Sequence, residues 1–284
     1  MFPAFLMILG LTVLAGCAQS AGEAWHQLSS RAYGYDFHPT TFNVSPFLLS
    51  GLVKGKPGDS KELVVYLEGD GRGVVRGRVT MDPTPAQVMG FELARSDPAP
   101  AVLYLARVGQ FQSTQNGPSY MAYWSDKRLA DESVDAAGRA IDEAKKKVGA
   151  DKVHLIGYSG GGGMAVLLAE RRDDVLSVTT VAGLLDTYWW VRQKRYRPLA
   201  GSLNPADNAA SLAGLSQIHF YGEDDSIIPP EMSAHFQSLA PFSNFRRIGQ
   251  NTNHWKAWPE LWPALLRQYV LPARKMASEA QIPH

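Results

Sequence analysis

Three short segments of the 284-residue chain hold the side chains whose types and spacing could do chemistry. Gly157-Tyr158-Ser159-Gly160-Gly161 spells G-x-S-x-G. Before it, Lys152-Val153-His154-Leu155-Ile156 reads as a short buried strand, and residues 162–170 after it read as the first turns of a helix. A serine on a tight strand-to-helix turn stands clear of the sheet, where a substrate carbonyl can reach its hydroxyl. Flanking glycines let the backbone take the turn and let the helix lie close. The amide of Gly160, at the helix N-terminus, points where an oxyanion would form. A serine hydroxyl is a poor nucleophile until a base takes its proton, and a carboxylate must orient that base. Both types follow in later loops. Gly222-Glu223-Asp224-Asp225-Ser226-Ile227-Ile228-Pro229 comes after a strand at 218–221 and offers Asp225 or Asp224, with Asp186 a further acid after an earlier strand. His254 lies in Asn251-Thr252-Asn253-His254-Trp255, between a short strand and the final helix.

The other histidines fit this chemistry less well. His154 and His219 lie inside strands and read as structural. His26 and His38 come too early, His235 sits on a helix after the acid turn, and His284 is the last residue. No His/Cys/Asp/Glu cluster has metal-ligand spacing, so a hydrolytic zinc site is not expected. Gly69-Asp70-Gly71-Arg72-Gly73 tempts toward a dinucleotide fingerprint. The third glycine position falls on Val74 or Arg76, and the nucleotide reading fails on spacing. Arg72, Arg76 and Arg78 read by default as a solvated face, the alternative being a site for an anionic substrate group.

The elements that must position these residues alternate. Residues 33–53 suit an antiparallel pair of edge strands around Pro39 and Pro46. Strands at 62–67, 101–106, 152–157, 175–181, 218–221 and 245–248 alternate with helices expected at 85–95 and 131–148, and a helix at 260–269 closes the pattern. The helix at 131–148 carries Val134, Ala137, Ile141, Ala144 and Val148 on one stripe. Such alternation implies an α/β fold, with a mainly parallel central sheet and helices on both faces. Residues 186–216 break the rhythm with Trp189, Trp190, Tyr196 and Pro198. They are either a cap over the site or a helical excursion packed as core.

Charge is balanced, at 28 basic against 27 acidic residues, and nothing points to nucleic acid. Hydrophobic residues make up 45% of the chain, so its 18 prolines and 26 glycines indicate connecting loops and not disorder. Residues 5–13 form an apolar run too short for a membrane span, and they fit a signal-peptide core. Leu14-Ala15-Gly16-Cys17 resembles the lipobox of bacterial lipoproteins, and Cys17 is the only cysteine. The resemblance implies a signal peptide at 1–16, a lipidated Cys17 and a membrane anchor in the cell envelope. Ala18 and Gln19 include no aspartate, which by resemblance to lipoprotein sorting signals implies the outer membrane, facing the periplasm. A plain signal peptide cut after Ala18, or an uncleaved apolar N-terminus, are the alternatives. Residues 17–30 then read as a tether, 31–272 as the folded domain and 273–284 as a C-terminal tail.

From residue 62 to residue 269 the chain resembles an α/β-hydrolase, and within that superfamily the poorly characterised bacterial lipoproteins with a Tyr-Leu-Glu-Gly-Asp-Gly strand end and a Gly-Tyr-Ser-Gly-Gly-Gly elbow. The acid turn is similar to the family's G-x-x-D-x-x-V-P turn, which puts Asp225 on the acid position and His254 on the base position. The order Ser, Asp, His matches the family's. By the same resemblance Glu68-Gly69-Asp70-Gly71 occupies the place of the family's His-Gly motif. The amide of Asp70 is then the second oxyanion donor, with Gly71 next, and Glu68 stands where the family usually has histidine. The resemblance implies hydrolysis of an ester or thioester of a small or lipid-like acyl group through an acyl-serine, with no cofactor. The alternatives are a peptidase or amidase on the same residues, or a non-catalytic envelope lipoprotein.

Overall fold

Parallel strands covered on both faces must be apolar on both faces, and the central strands here are. In the computed structural model, which describes residues 20–115, 117–239 and 244–280, they build one eight-stranded sheet. Cys17 and the expected signal segment 1–16 lie outside the described residues. In chain order the elements are α1 (Ala21–Ala32), β1 (His38–Val44), β2 (Phe47–Lys54), β3 (Glu62–Leu67), β4 (Val74–Val75), β5 (Arg78–Val79), α2 (Met89–Ala94), β6 (Val102–Leu105) and α3 (Asp131–Val148). Then come β7 (Lys152–Tyr158), α4 (Gly160–Ala169), β8 (Val175–Val181), α5 (Thr187–Lys194), β9 (Ser216–Gly222), α6 (Glu231–Leu239), β10 (Phe245–Gln250), α7 (Trp258–Leu265) and α8 (Leu271–Glu279). The sheet order is β1-β2-β6-β3-β7-β8-β9-β10. β1, β2 and β6 pair antiparallel, and from β6 to β10 every pairing is parallel. The α/β architecture with a mainly parallel sheet is as expected. β4 and β5 form a separate small hairpin.

Alternation along each strand divides the core. On β3, Leu63, Val65 and Leu67 pack with α3 and α4, whereas Val64 and Tyr66 pack with α1, α2 and α7. α4 is apolar around its whole circumference and every residue of it is buried, which suits its place behind the middle of the sheet. His154 and His219 are structural, as expected of strand residues. His154 bonds Ser177 Oγ at 2.8 Å, and burial drives the His219 pKa down to about 3. Among the described residues no helix is long and apolar enough to cross a membrane.

Three expectations are corrected. The tether at 17–30 is helical from Ala21. Ser20 caps it by accepting the Glu23 amide at 3.2 Å, and Leu28 and Ala32 are buried in the core. The helix expected at 85–95 begins only at Met89, and Pro85 and Ala86 stay irregular along the cleft described below. The tail at 273–284 is helical through Glu279. After α7 a single π-helical turn, Leu266–Val270, leads straight into α8.

α8 is pinned by an ion pair that joins residues 177 positions apart. Arg274 donates to both Asp97 oxygens, at 3.2 and 2.6 Å, and the Tyr66 hydroxyl donates to Asp97 at 2.7 Å. Burial alone would raise the Asp97 pKa. The Arg274 charge and the hydrogen bonds outweigh it and hold the carboxyl below its ordinary value. Removing one partner of such a pair strands the other charge in the core. Asp97→Ala should lower the unfolding free energy by about 3–5 kcal/mol in urea denaturation. A loss below about 1 kcal/mol, the level of an exposed pair, would show that this contact does not fasten α8.

Candidate active site

Ser159 occupies the single residue between β7 and α4, at φ 53° and ψ −121°. That left-handed backbone is strained for a serine. It is held by three hydrogen bonds: the Ser159 amide donates to Val181 at 2.9 Å, and its carbonyl accepts from Gly162 and Leu184, each at 2.9 Å. The helix can start at once because its neighbours have no side chains. A Cβ on Gly157 would lie 2.0 Å from the Gly161 oxygen, and one on Gly161 would lie 2.3 Å from the Leu67 oxygen.

Ser159 Oγ lies 3.0 Å from His254 Nε2, and His254 Nδ1 lies 2.7 Å from Asp225 Oδ2. An ionised carboxylate can only accept, so Nδ1 carries the ring proton and Nε2 is left to accept from the serine. The other Asp225 oxygen accepts from the amides of Ile227 and Ile228, both at 2.8 Å, which fixes a carboxylate with 0% side-chain exposure. Asp224, one residue earlier, is exposed. Asp186 caps α5 and bonds His235 at 3.0 Å, and so serves another place. The His254 loop is itself tied to the serine turn, because the Tyr158 hydroxyl donates to the His254 carbonyl at 2.8 Å.

The loop after β3 comes up beside the serine. A Cβ on Gly69 would lie 3.3 Å from Ser159 Cβ. The amides of Gly160 and Asp70 make no hydrogen bond within the protein among the described residues. The Asp70 carboxylate sits against Gly160, 2.1 Å from where a Cβ would be. Two arginines hold it there, the partly buried Arg128 at 2.8 Å and the buried Arg107 at 3.4 Å. Gln110 steadies the same loop by donating to the Gly69 carbonyl at 2.9 Å. Arg107, Arg128 and Gln110 were missed by sequence reasoning, since they lie in the long connection from β6 to α3, which has no periodicity to mark it.

Over this point opens a cleft of about 1280 Å³ that reaches Ser159 and His254. The β4–β5 hairpin forms part of its wall, and so does the 186–216 segment through Trp190, Tyr196 and Leu199. Trp190 is also buried, with its indole donating to the Ile227 carbonyl at 2.8 Å, so this segment both packs and caps.

A family model described as alpha/beta hydrolase fold matches residues 111–199. Est1E from Butyrivibrio proteoclasticus superposes with a TM-score of 0.60 at 12% identity, covering 83% of this chain and 98% of that one. An esterase from Pyrococcus furiosus gives 0.59 at 11% identity, with 86% and 92% covered. A puromycin hydrolase gives 0.59 at 16% identity, covering 88% of this chain and 41% of that one. A search of curated proteins matched none. The chain has the α/β-hydrolase fold.

Within that fold Glu68 closes β3 at the site's edge. It is buried, and it accepts from the amides of Gly69 at 2.8 Å and Gly90 at 2.9 Å. Burial outweighs those bonds and pushes its pKa from 4.5 up to about 7. The folded state therefore binds this proton more tightly than the unfolded chain does. The stabilising effect is present below pH 4.5 and is lost as pH rises to about 7. Glu68→Gln cannot ionise. Its unfolding free energy should gain on the wild type steadily across that interval when both are followed by urea titration. A difference that stays flat from pH 4.5 to 7 would contradict the assigned shift.

Proposed function

We propose that the protein is a serine hydrolase that cleaves an ester bond through an acyl-serine intermediate. Ser159 is the nucleophile, His254 the general base and acid, and Asp225 the carboxylate that orients the imidazole. The observation that carries this reading is the unbroken hydrogen-bond chain from Ser159 Oγ to buried Asp225 through one imidazole. Ser159 Oγ attacks the ester carbonyl as His254 Nε2 takes its proton, and Asp225 stabilises the imidazolium. The negative oxygen of the tetrahedral intermediate takes hydrogen bonds from the amides of Gly160 and Asp70. The alkoxide leaves with the proton from Nε2. Water then repeats the sequence on the acyl-serine and releases the acid.

Ser159→Ala should lose on the order of 10⁴-fold or more in kcat on any p-nitrophenyl ester the parent cleaves, with its fold unchanged. Asp225→Asn should lose a similar factor, about 10⁴-fold, by favouring the wrong imidazole tautomer, while Asp224→Asn should change little. Near-parental turnover by Ser159→Ala would sink the proposal. A panel of aminoacyl anilides beside the esters separates an amidase or peptidase from an esterase. Preference for the anilides would move the assignment without touching the serine chemistry.

A lipid anchor at Cys17 completes the proposal, on the support of Leu14-Ala15-Gly16-Cys17 and the lone cysteine. It would hold the enzyme at the envelope, on the periplasmic side of the outer membrane. Metabolic labelling with an alkyne fatty acid should tag the wild type and spare Cys17→Ser, which should also leave the membrane fraction. Equal labelling of both proteins would exclude the anchor.

A further inference from the structure

The cleft over Ser159 is lined by Arg72, Arg76, Arg128, Arg195 and Arg197 against Glu68, Asp70 and Asp126, although the whole chain carries a formal net charge of only +1. Arg128 is committed to Asp70. The other four are exposed, and none meets a carboxylate within 4.0 Å among the described residues. Elsewhere among the described residues Arg31, Arg95, Arg171, Arg172 and Arg274 do, while Arg78, Arg139, Arg192, Arg246, Arg247 and Arg267 do not. Exposed arginines without partners are common on a protein surface. These differ in that two distant segments, the β4–β5 hairpin with its approach and the turn after α5, bring them to one concavity.

Backbone conformation gives a second, independent sign. Arg76 has φ 51° and Gly77 φ 76°, so the two-residue turn of the hairpin is left-handed at both positions. Such a turn favours Asn-Gly. Arg195, at φ 54°, caps the C-terminus of α5, where Gly or Asn is favoured. At both places a long charged side chain stands where the backbone disfavours it, and residues so held gather at ligand clamps. Between them the cleft wall is apolar, with Val74, Val79, Trp190, Tyr196, Leu199 and Trp255. The volume of about 1280 Å³ exceeds what a short neutral ester fills.

We infer that the cleft takes an ester that also carries a carboxylate or phosphate group, bound by Arg76 and Arg195 with Arg72 and Arg197 beside them. This rests on Ser159 being the nucleophile. Guanidinium forks match the oxygens of either anion in pairs, and the apolar wall takes the carbon chain between anion and ester. A bilayer surface rich in anionic lipid is the rival partner for basic side chains. It is the weaker candidate, because the arginines line a concavity that also holds Ser159, and a flat surface does not enter it.

The test compares mono-p-nitrophenyl glutarate with p-nitrophenyl valerate, which differ in the terminal carboxylate. The wild type should favour the glutarate ester in kcat/KM on the order of tenfold or more. That ratio should shrink at about 0.5 M salt and approach one in the Arg76→Asn/Arg195→Asn double variant. The double variant should melt at the wild-type temperature or above, because asparagine suits both backbones, so a fallen ratio cannot be put down to unfolding. A wild-type ratio of one or less, a ratio unchanged in the double variant, or a preference seen only with phosphatidylglycerol vesicles would overturn the inference. A binding measurement needs no turnover. Tryptophan fluorescence of Ser159→Ala should saturate with glutarate or inorganic phosphate, and should not when Arg76→Asn and Arg195→Asn are added. The stronger of the two ligands tells carboxylate from phosphate. Absence of saturation with both overturns the inference. Failure of both esters with saturation intact would count against Ser159 alone.

Discussion

The left-handed serine between β7 and α4 is the constraint on which the rest of the site depends. A strand buried in the middle of a parallel sheet must turn directly into a buried helix, and only one residue is available for the reversal. That geometry needs glycine at Gly157 and Gly161, where a Cβ would strike backbone atoms. It also needs the fixing hydrogen bonds that the Val181 carbonyl accepts at the end of β8 and the Leu184 amide donates just after it. The strain is small against the stability of a packed domain, but it persists only because the surroundings over-determine it. Everything chemical follows from this placement. The hydroxyl points into the cleft, the first helix amide is left free beside it, and the loops after β3, β9 and β10 are brought around it.

Electrostatics at the site are arranged with similar economy. The Asp70 carboxylate lies against Gly160, close to where an oxyanion would form, and alone it would oppose that charge. Arg107 and Arg128 neutralise it and leave the local sum positive. Arg107 is buried, and desolvation lowers its pKa even with Asp70 beside it, so this clamp persists because its three charges stay together. Its effect is to hold the Asp70 loop in one position with the amide free. Glu68 and Gln110 do the same from below by bonding both sides of Gly69.

Much of this was legible in the sequence, for identifiable reasons. Ser159, Asp225 and His254 are confined to loops at strand ends, and strand ends are marked by apolar runs that stop at Gly, Asp or Asn. Asp225 and Asp224 differ by one register step in a tight turn, and the structure buries the first and exposes the second. What was not legible depends on distance along the chain. Arg274 finds Asp97 from 177 positions away in the chain, and no local pattern announces it. Arg107, Arg128 and Gln110 sit in an irregular connection. α1 is the instructive miss. Ser20 and Glu23 have the spacing of a helix-start signal, although residues 17–30 read as a tether. Arg72 and Arg76 read by default as a solvated face because the sequence hides that 72–76 and 195–197 share one concavity.

The central claim is that one serine is activated by the residues around it. Mass spectrometry after exposure to a fluorophosphonate tests it most directly, since that reagent phosphonylates a serine only where a base and an oxyanion site act together. The account predicts a single adduct on the peptide that carries Ser159, formed within minutes and abolished in His254→Ala. No adduct, or an adduct at a different serine with Ser159 unmodified, would contradict it.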